Sequence, residues 1–231
     1  MDLLKSLNLF LKDLEKYELP DWDRLPEIDL YMEQVVTYLD RINEVFTKNS
    51  QEKIITSSMI NNYVKGEVVP KPKDKKYTKE HLNYIIATSA LKQVLPLSDI
   101  KRLFDNLVDK KDISKTYKLY KDSLDKYIKD IVKETKDSIK NIDPKNENKD
   151  LSILALDYAV KSFVNMVIAQ RILYFFDLKD FQDKEYKKKE KEELKKKEKE
   201  LKEEKKKEEE EKKKEELKTK DNKDKETNNN K

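Results

Sequence analysis

The sequence predicts an all-α protein, and three observations carry that reading. One glycine and six prolines in 231 residues leave few places for tight turns. Apolar residues recur at helical spacing along nearly the whole chain. No stretch alternates apolar and polar residues for long enough to make a half-buried strand.

The first helix is expected over about 2–17, with Leu3, Leu7, Phe10, Leu11 and Leu14 on one stripe. The proline-broken connector "ELPDWDRLPEID" follows, in which Trp22 reads as a packing anchor. Together these form an N-terminal segment, 1–27. A second helix is expected over about 28–46, with Tyr31, Val35, Tyr38, Leu39, Ile42 and Phe46 facing inward. After the polar loop "TKNSQEK" comes a short helix, 57–65, capped by Thr56. Thr78 caps the next, about 79–95, which Pro96 stops. Ser98 and Asp99 start another that ends near Asp109. These elements make a domain over 28–110. The C-terminal helical region, 111–181, holds two more helices. One spans about 113–140, with Tyr117, Tyr120, Leu124, Tyr127, Ile128, Ile131 and Ile139 apolar. The other is the apolar run 151–177, after the turn-forming "NIDPKNENKD". Asp157, Lys161, Asn165, Gln170 and Arg171 interrupt that run, so it reads as a helix buried in protein and not as a membrane span.

The tail, 182–231, carries 21 lysines against 18 acids. Glu precedes Lys by four residues repeatedly, for example at 185/189, 192/196 and 203/207, and such pairs support a solvated helix with no core. Disorder is expected over its last dozen residues. Residues 1–181 hold 31 basic and 30 acidic groups, an ordinary globular balance. There is no cysteine and a single histidine, His81, which excludes disulfides, thiol catalysis and histidine-rich metal sites. No phosphate loop, dinucleotide fingerprint, calcium loop or zinc pattern occurs, and no catalytic group, cofactor or metal is expected. The N-terminus has no signal-peptide pattern, and the expected compartment is the cytoplasm.

The one glycine stands in "ITSSMINNYVKGEVVPKPKDKKYTKEH". In the short helix, Ile60 and Val64 share one face, while Ser58, Asn61, Asn62 and Lys65 lie largely on the other. Gly66 is expected to be its left-handed terminator. An aliphatic pair follows, then a proline-stiffened loop with Lys71, Lys73, Lys75 and Lys76, then Tyr77 and Lys79. Residues 65–79 hold six lysines against Glu67 and Asp74, so the positive charge of the globular part is concentrated here. Helix, stop, basic loop, helix is the order of a winged helix-turn-helix: a short helix enters the major groove and the wing lies on phosphates. The residues expected at DNA are Ser57, Ser58, Asn61, Asn62, Tyr63, Lys65, Lys71, Lys73, Lys75, Lys76, Tyr77 and Lys79. Asparagine pairs with adenine edges, and with no arginine in the helix the expected site is A·T-rich double-stranded DNA. The alternative is a protein-interaction module with the same fold and no DNA binding. A homodimer through the last two helices is also expected.

The parts "MINNYVKGEVV", "PKPKDKKY", "TKEHLNYIIATSALKQVL" and "PLSDIKRLF" resemble the MerR-like DNA-binding domain. The stretch from "DLYMEQVV" to "PLSDI" is similar to the bacterial domain-of-unknown-function family numbered 1836, over about 28–104 and more loosely to 177. The resemblance implies a MerR-like winged helix-turn-helix core and a DNA-binding mode, and the expected function is that of a DNA-binding transcriptional regulator. It gives Ile60 the core place of the recognition helix, Tyr63 its aromatic place, Lys65 a basic place and Tyr77 the tyrosine closing the wing. Ser58 and Asn61 stand where that pattern has arginines, and two helices replace its long dimerisation helix.

Overall fold

The computed structural model describes residues 2–47, 53–108, 112–143 and 145–228, with side chains through Lys199 and at Lys202. It is predominantly helical. The order is α1 (Leu3–Glu15), a 3-10 turn (Trp22–Arg24), β1 (Leu30–Tyr31), α2 (Met32–Ile42), α3 (Glu44–Thr47), α4 (Ser57–Lys65), β2 (Lys76–Tyr77), α5 (Lys79–Leu91), α6 (Leu97–Leu107), α7 (Ile113–Ile139) and α8 (Glu147–Asn228). Met1–Leu173 forms one compact unit and Tyr174–Lys231 a second.

One element has no counterpart in the sequence pattern. β1 and β2 form a two-stranded antiparallel sheet with Leu30 opposite Tyr77 and Tyr31 opposite Lys76. The expected helix from 28 therefore begins only at Met32. Its first turn is closed by the Gln34 side chain, which accepts from the Tyr31 amide at 2.9 Å. The helix then breaks at Asn43, whose side chain donates to the Leu39 carbonyl at 3.0 Å.

The first unit's main core joins Leu19 and Leu25 of the connector, Val35 and Leu39 of α2, Ile60 and Tyr63 of α4, Leu82 and Ile85 of α5, and Tyr117 of α7. It thus draws on all three stretches, 1–27, 28–110 and 111–181. Tyr117 fixes the connector directly: its hydroxyl donates to the Pro20 carbonyl at 2.6 Å, and Trp22 packs on its ring. A second cluster sets Val68, Ala87, Leu95, Ile100 and Phe104 against Leu173 of α8. A third places Leu11 of α1 on Ile128 and Val132 of α7.

The apolar run in α8 departs from expectation, because it is not enclosed. Among the described residues, α8 buries one stripe, where Ala169 and Leu173 join the second cluster. Tyr158 meets Thr135 of α7 through their hydroxyls at 2.7 Å. Lys161 pairs with Glu134 of α7 at 2.9 Å. Ile153, Leu156, Val160, Phe163, Val164 and Val167 stay exposed. The physical reason is that a helix lying on the outside of a helical layer covers only one side of itself. By length and composition Glu147–Lys199 passes as a membrane span, with a mean hydropathy of 1.5 over its most apolar window and none of that window buried. In the second unit the helix runs on to Asn228, so the disorder expected over the last dozen residues is not seen where they are described; 229–231 lie outside the described residues. The (i, i+4) pairing that supports such a helix is seen at Glu185 and Lys189, 3.2 Å apart.

Candidate nucleic-acid interface

The short helix α4 has the bounds its sequence dictates. Thr56 is extended and its hydroxyl accepts from the Met59 amide at 3.2 Å, satisfying one of the unpaired donors of the first turn. Ile60 and Tyr63 are buried and hold the helix on the core. Ser57, Ser58, Asn61, Asn62 and Lys65 are all exposed.

The terminator differs from expectation. Gly66 has φ −78° and ψ 3°, an ordinary right-handed conformation. The left-handed residue is Glu67, at φ 55°. Its amide donates to the Val64 carbonyl at 3.1 Å and the Val68 amide to the Tyr63 carbonyl at 3.0 Å. Those two bonds define a Schellman stop, with Val68 and Tyr63 both buried beside it. The glycine matters less, and through space alone, since a Cβ at 66 would stand 3.3 Å from the Asn62 carbonyl oxygen.

The basic loop is a hairpin. The Lys76 amide donates to the Lys73 carbonyl at 2.9 Å, and Lys73 and Lys76 face each other as an antiparallel bridge. Asp74 and Lys75, at φ 51° and 59°, are the two central residues. Two successive left-handed residues make a type I′ turn, whose twist suits a β-hairpin. Lys71, Lys73 and Lys75 are exposed. Lys76 and Lys79 are half-buried: the Lys76 ammonium lies 5.6 Å from the centre of the Tyr31 ring, and that of Lys79 5.0 Å from the Trp22 ring.

Two of the residues expected at DNA belong to the core. Tyr63 is 2% exposed and Tyr77 3%, so neither side chain offers a surface to a duplex. Burial raises the pKa of both phenols above the ordinary value. An aromatic beside a basic loop has the same residue type whether it packs or stacks, which is why the sequence misleads here.

Behind the wing, His81 closes the start of α5. Its Nδ1 accepts from the Thr78 amide at 3.1 Å and lies 2.7 Å from the Thr78 hydroxyl. Burial lowers its pKa from the ordinary 6.5, while the Lys71 backbone and then Glu80 and Asp29 oppose that shift. The imidazole is therefore a neutral acceptor toward Thr78.

Lys65 and Lys71 share the lining of a cavity of about 470 Å³ with Glu67, Lys101 and Asp105. Lys101 pairs with Glu67 and with Asp105, each at 3.6 Å. Sequence reasoning missed Lys101, because it sits on α6, far along the chain from the wing it adjoins.

Residues 20–123 match the family model described as "Domain of unknown function (DUF1836)". The matched span opens at Pro20 and includes Tyr117, the two ends of the hydrogen bond that ties the connector to α7. No curated protein and no solved structure matches the chain.

Proposed function

We propose that the protein binds double-stranded DNA in the cytoplasm as a transcriptional regulator, through a MerR-like winged helix-turn-helix. α2 and α4 form the helix-turn-helix, α4 enters the major groove, and the hairpin of 67–77 lies on the backbone. One observation carries the reading. A face of serines and asparagines on α4, with no part in the core, ends in a Schellman stop that leads at once into a lysine-tipped type I′ hairpin.

The chemistry divides between the two parts. Lys71, Lys73 and Lys75 present point charges suited to phosphate oxygens, which position the protein without reading sequence. Asn61 and Asn62 can each offer an acceptor and a donor to adenine, so A·T-rich sites are preferred. Ser57 and Ser58, at the start of the helix, supply hydroxyl donors to backbone or base edges. Lys76 and Lys79 are reserve charges, held over Tyr31 and Trp22 in the free protein.

The test is a titration of a labelled random duplex between about 50 and 200 mM salt. Binding whose logarithm falls linearly with log salt, at a slope equivalent to roughly three to five neutralised phosphates, supports the proposal. No binding at the low-salt end overturns it, and leaves α4 and the hairpin as a surface for another protein.

A further inference from the structure

Five of the exposed apolar residues of α8 in the first unit fall on one line, while Ile168 and Ile172, also exposed, lie off it. Ile153, Leu156, Val160, Phe163 and Val167 are spaced three, four, three and four residues apart. That is the a/d spacing of a coiled-coil seam. All five, with Val164 beside them, are between 43% and 61% exposed. At 100° per residue the seam centres on the side of α8 opposite the stripe of Leu154, Tyr158 and Ala169 that faces the unit's body. A partner on the seam would therefore lie away from the elements that this stripe covers.

We propose that this seam pairs with the same seam of a second copy, as a parallel two-stranded coiled coil. The residue types choose the partner. Ile153, Val160 and Val167 fall at a, and Leu156 and Phe163 at d. β-Branched residues at a with leucine at d favour two parallel strands over higher orders, a pattern met at all three a positions and at Leu156, one of the two d positions. The area agrees: six half-exposed apolar side chains present on the order of 600 Å² per copy, about twice that for a pair, which reaches the lower edge of stable interfaces. A single chain rarely leaves a contiguous apolar patch of this size open to water. One flank of the seam carries Asp157 and, toward α7, the Lys161–Glu134 ion pair, polar groups that would be stranded in a hydrocarbon layer.

The chain has no cysteine, which makes the test clean. The full chain is measured by sedimentation at about 1–50 μM, a range that brackets the affinity of a small interface. A dimer is expected, with Val160→Asp plus Val167→Asp weakening it at least about 100-fold while far-UV circular dichroism and melting stay unchanged. Both positions are exposed in the protomer, so the fold does not depend on them. Ile153→Cys should give a symmetric disulfide on mild oxidation, since a parallel in-register pair brings equivalent a positions within disulfide reach. A monomer throughout the range, a dimer indifferent to both aspartates, or no cross-link at 153 overturns the proposal. So does flotation of the chain with phosphatidylcholine–phosphatidylglycerol vesicles, which would show the seam inserted in lipid.

Discussion

Glycine and alanine at two neighbouring positions report where the chain turns after α4. At Glu67, φ is 55°. An L residue there crowds its Cβ against the backbone, at a cost of roughly 1–2 kcal/mol. Glycine removes that cost but loses more freedom on folding, about 0.5–1 kcal/mol relative to alanine. Comparing Glu67→Gly with Glu67→Ala cancels the exposed Lys101 ion pair, which both lose. The glycine variant is expected to be the more stable by about 1 kcal/mol, or roughly 2–4 °C in Tm for a protein of this size. At Gly66, with φ −78°, the order changes. Alanine gains about 0.4–1 kcal/mol from the unfolded chain, and the 3.3 Å approach to the Asn62 carbonyl takes back part of it. Gly66→Ala is thus expected within about 0.5 kcal/mol of wild type. Denaturant midpoints at constant m-value read all three variants. If Gly66→Ala loses more than about 1.5 kcal/mol while alanine and glycine at 67 are equal, the left-handed residue is 66 and the Schellman assignment fails.

Three further outcomes are expected. Lys71, Lys73 and Lys75 changed together to alanine should weaken binding to all duplexes alike and flatten the salt slope by roughly one for each phosphate no longer neutralised, whereas Asn61→Ala or Asn62→Ala should cost about 1–3 kcal/mol on the preferred site only; binding selection on random duplexes separates the two. His81 has a folded pKa below the ordinary 6.5, so its contribution is fully present above that value and is lost as pH falls through the lowered folded value. Stability measured from pH 7.5 to about 5 should decline, and His81→Gln, which keeps an acceptor for the Thr78 amide, should flatten that part of the profile. Tyr117→Phe strands the Pro20 carbonyl and should destabilise by about 1–3 kcal/mol in denaturant melts; an unchanged midpoint would rule out the bond as a tie between connector and α7.

The legible parts of the fold are those with a local chemical signature. Thr56 and the apolar pair Ile60 and Val64 delimit α4 without help from the rest of the chain. Thr78 and Pro96 do the same for the α5 region, although α5 itself ends at Leu91, before a turn made by Leu95 bonding back to the Leu91 carbonyl. The hidden parts depend on partners distant in sequence. Two-residue strands have no period to detect, and Leu30 becomes a strand only because Tyr77 lies opposite. A lone glycine points to position 66, yet the backbone puts the unusual angle on the glutamate after it. The lysines of the wing are readable as charge, but Tyr63 and Tyr77 can be sorted into core and surface only by their packing. In α8 the density of apolar residues is plain, whereas which of them the first unit covers follows from the placement of α7 and the second core cluster.

The division of α4 into a buried side and a free one has an evolutionary consequence. Ile60 and Tyr63 carry the attachment of the helix, and Ser57, Ser58, Asn61 and Asn62 carry none of it. Surface substitutions away from caps and cores usually change stability by no more than about 0.5 kcal/mol. Those four positions can therefore drift through many residue types while the domain stays folded. If they meet DNA, a duplicated copy could acquire a different target in a few single-residue steps, each passing through a stable protein.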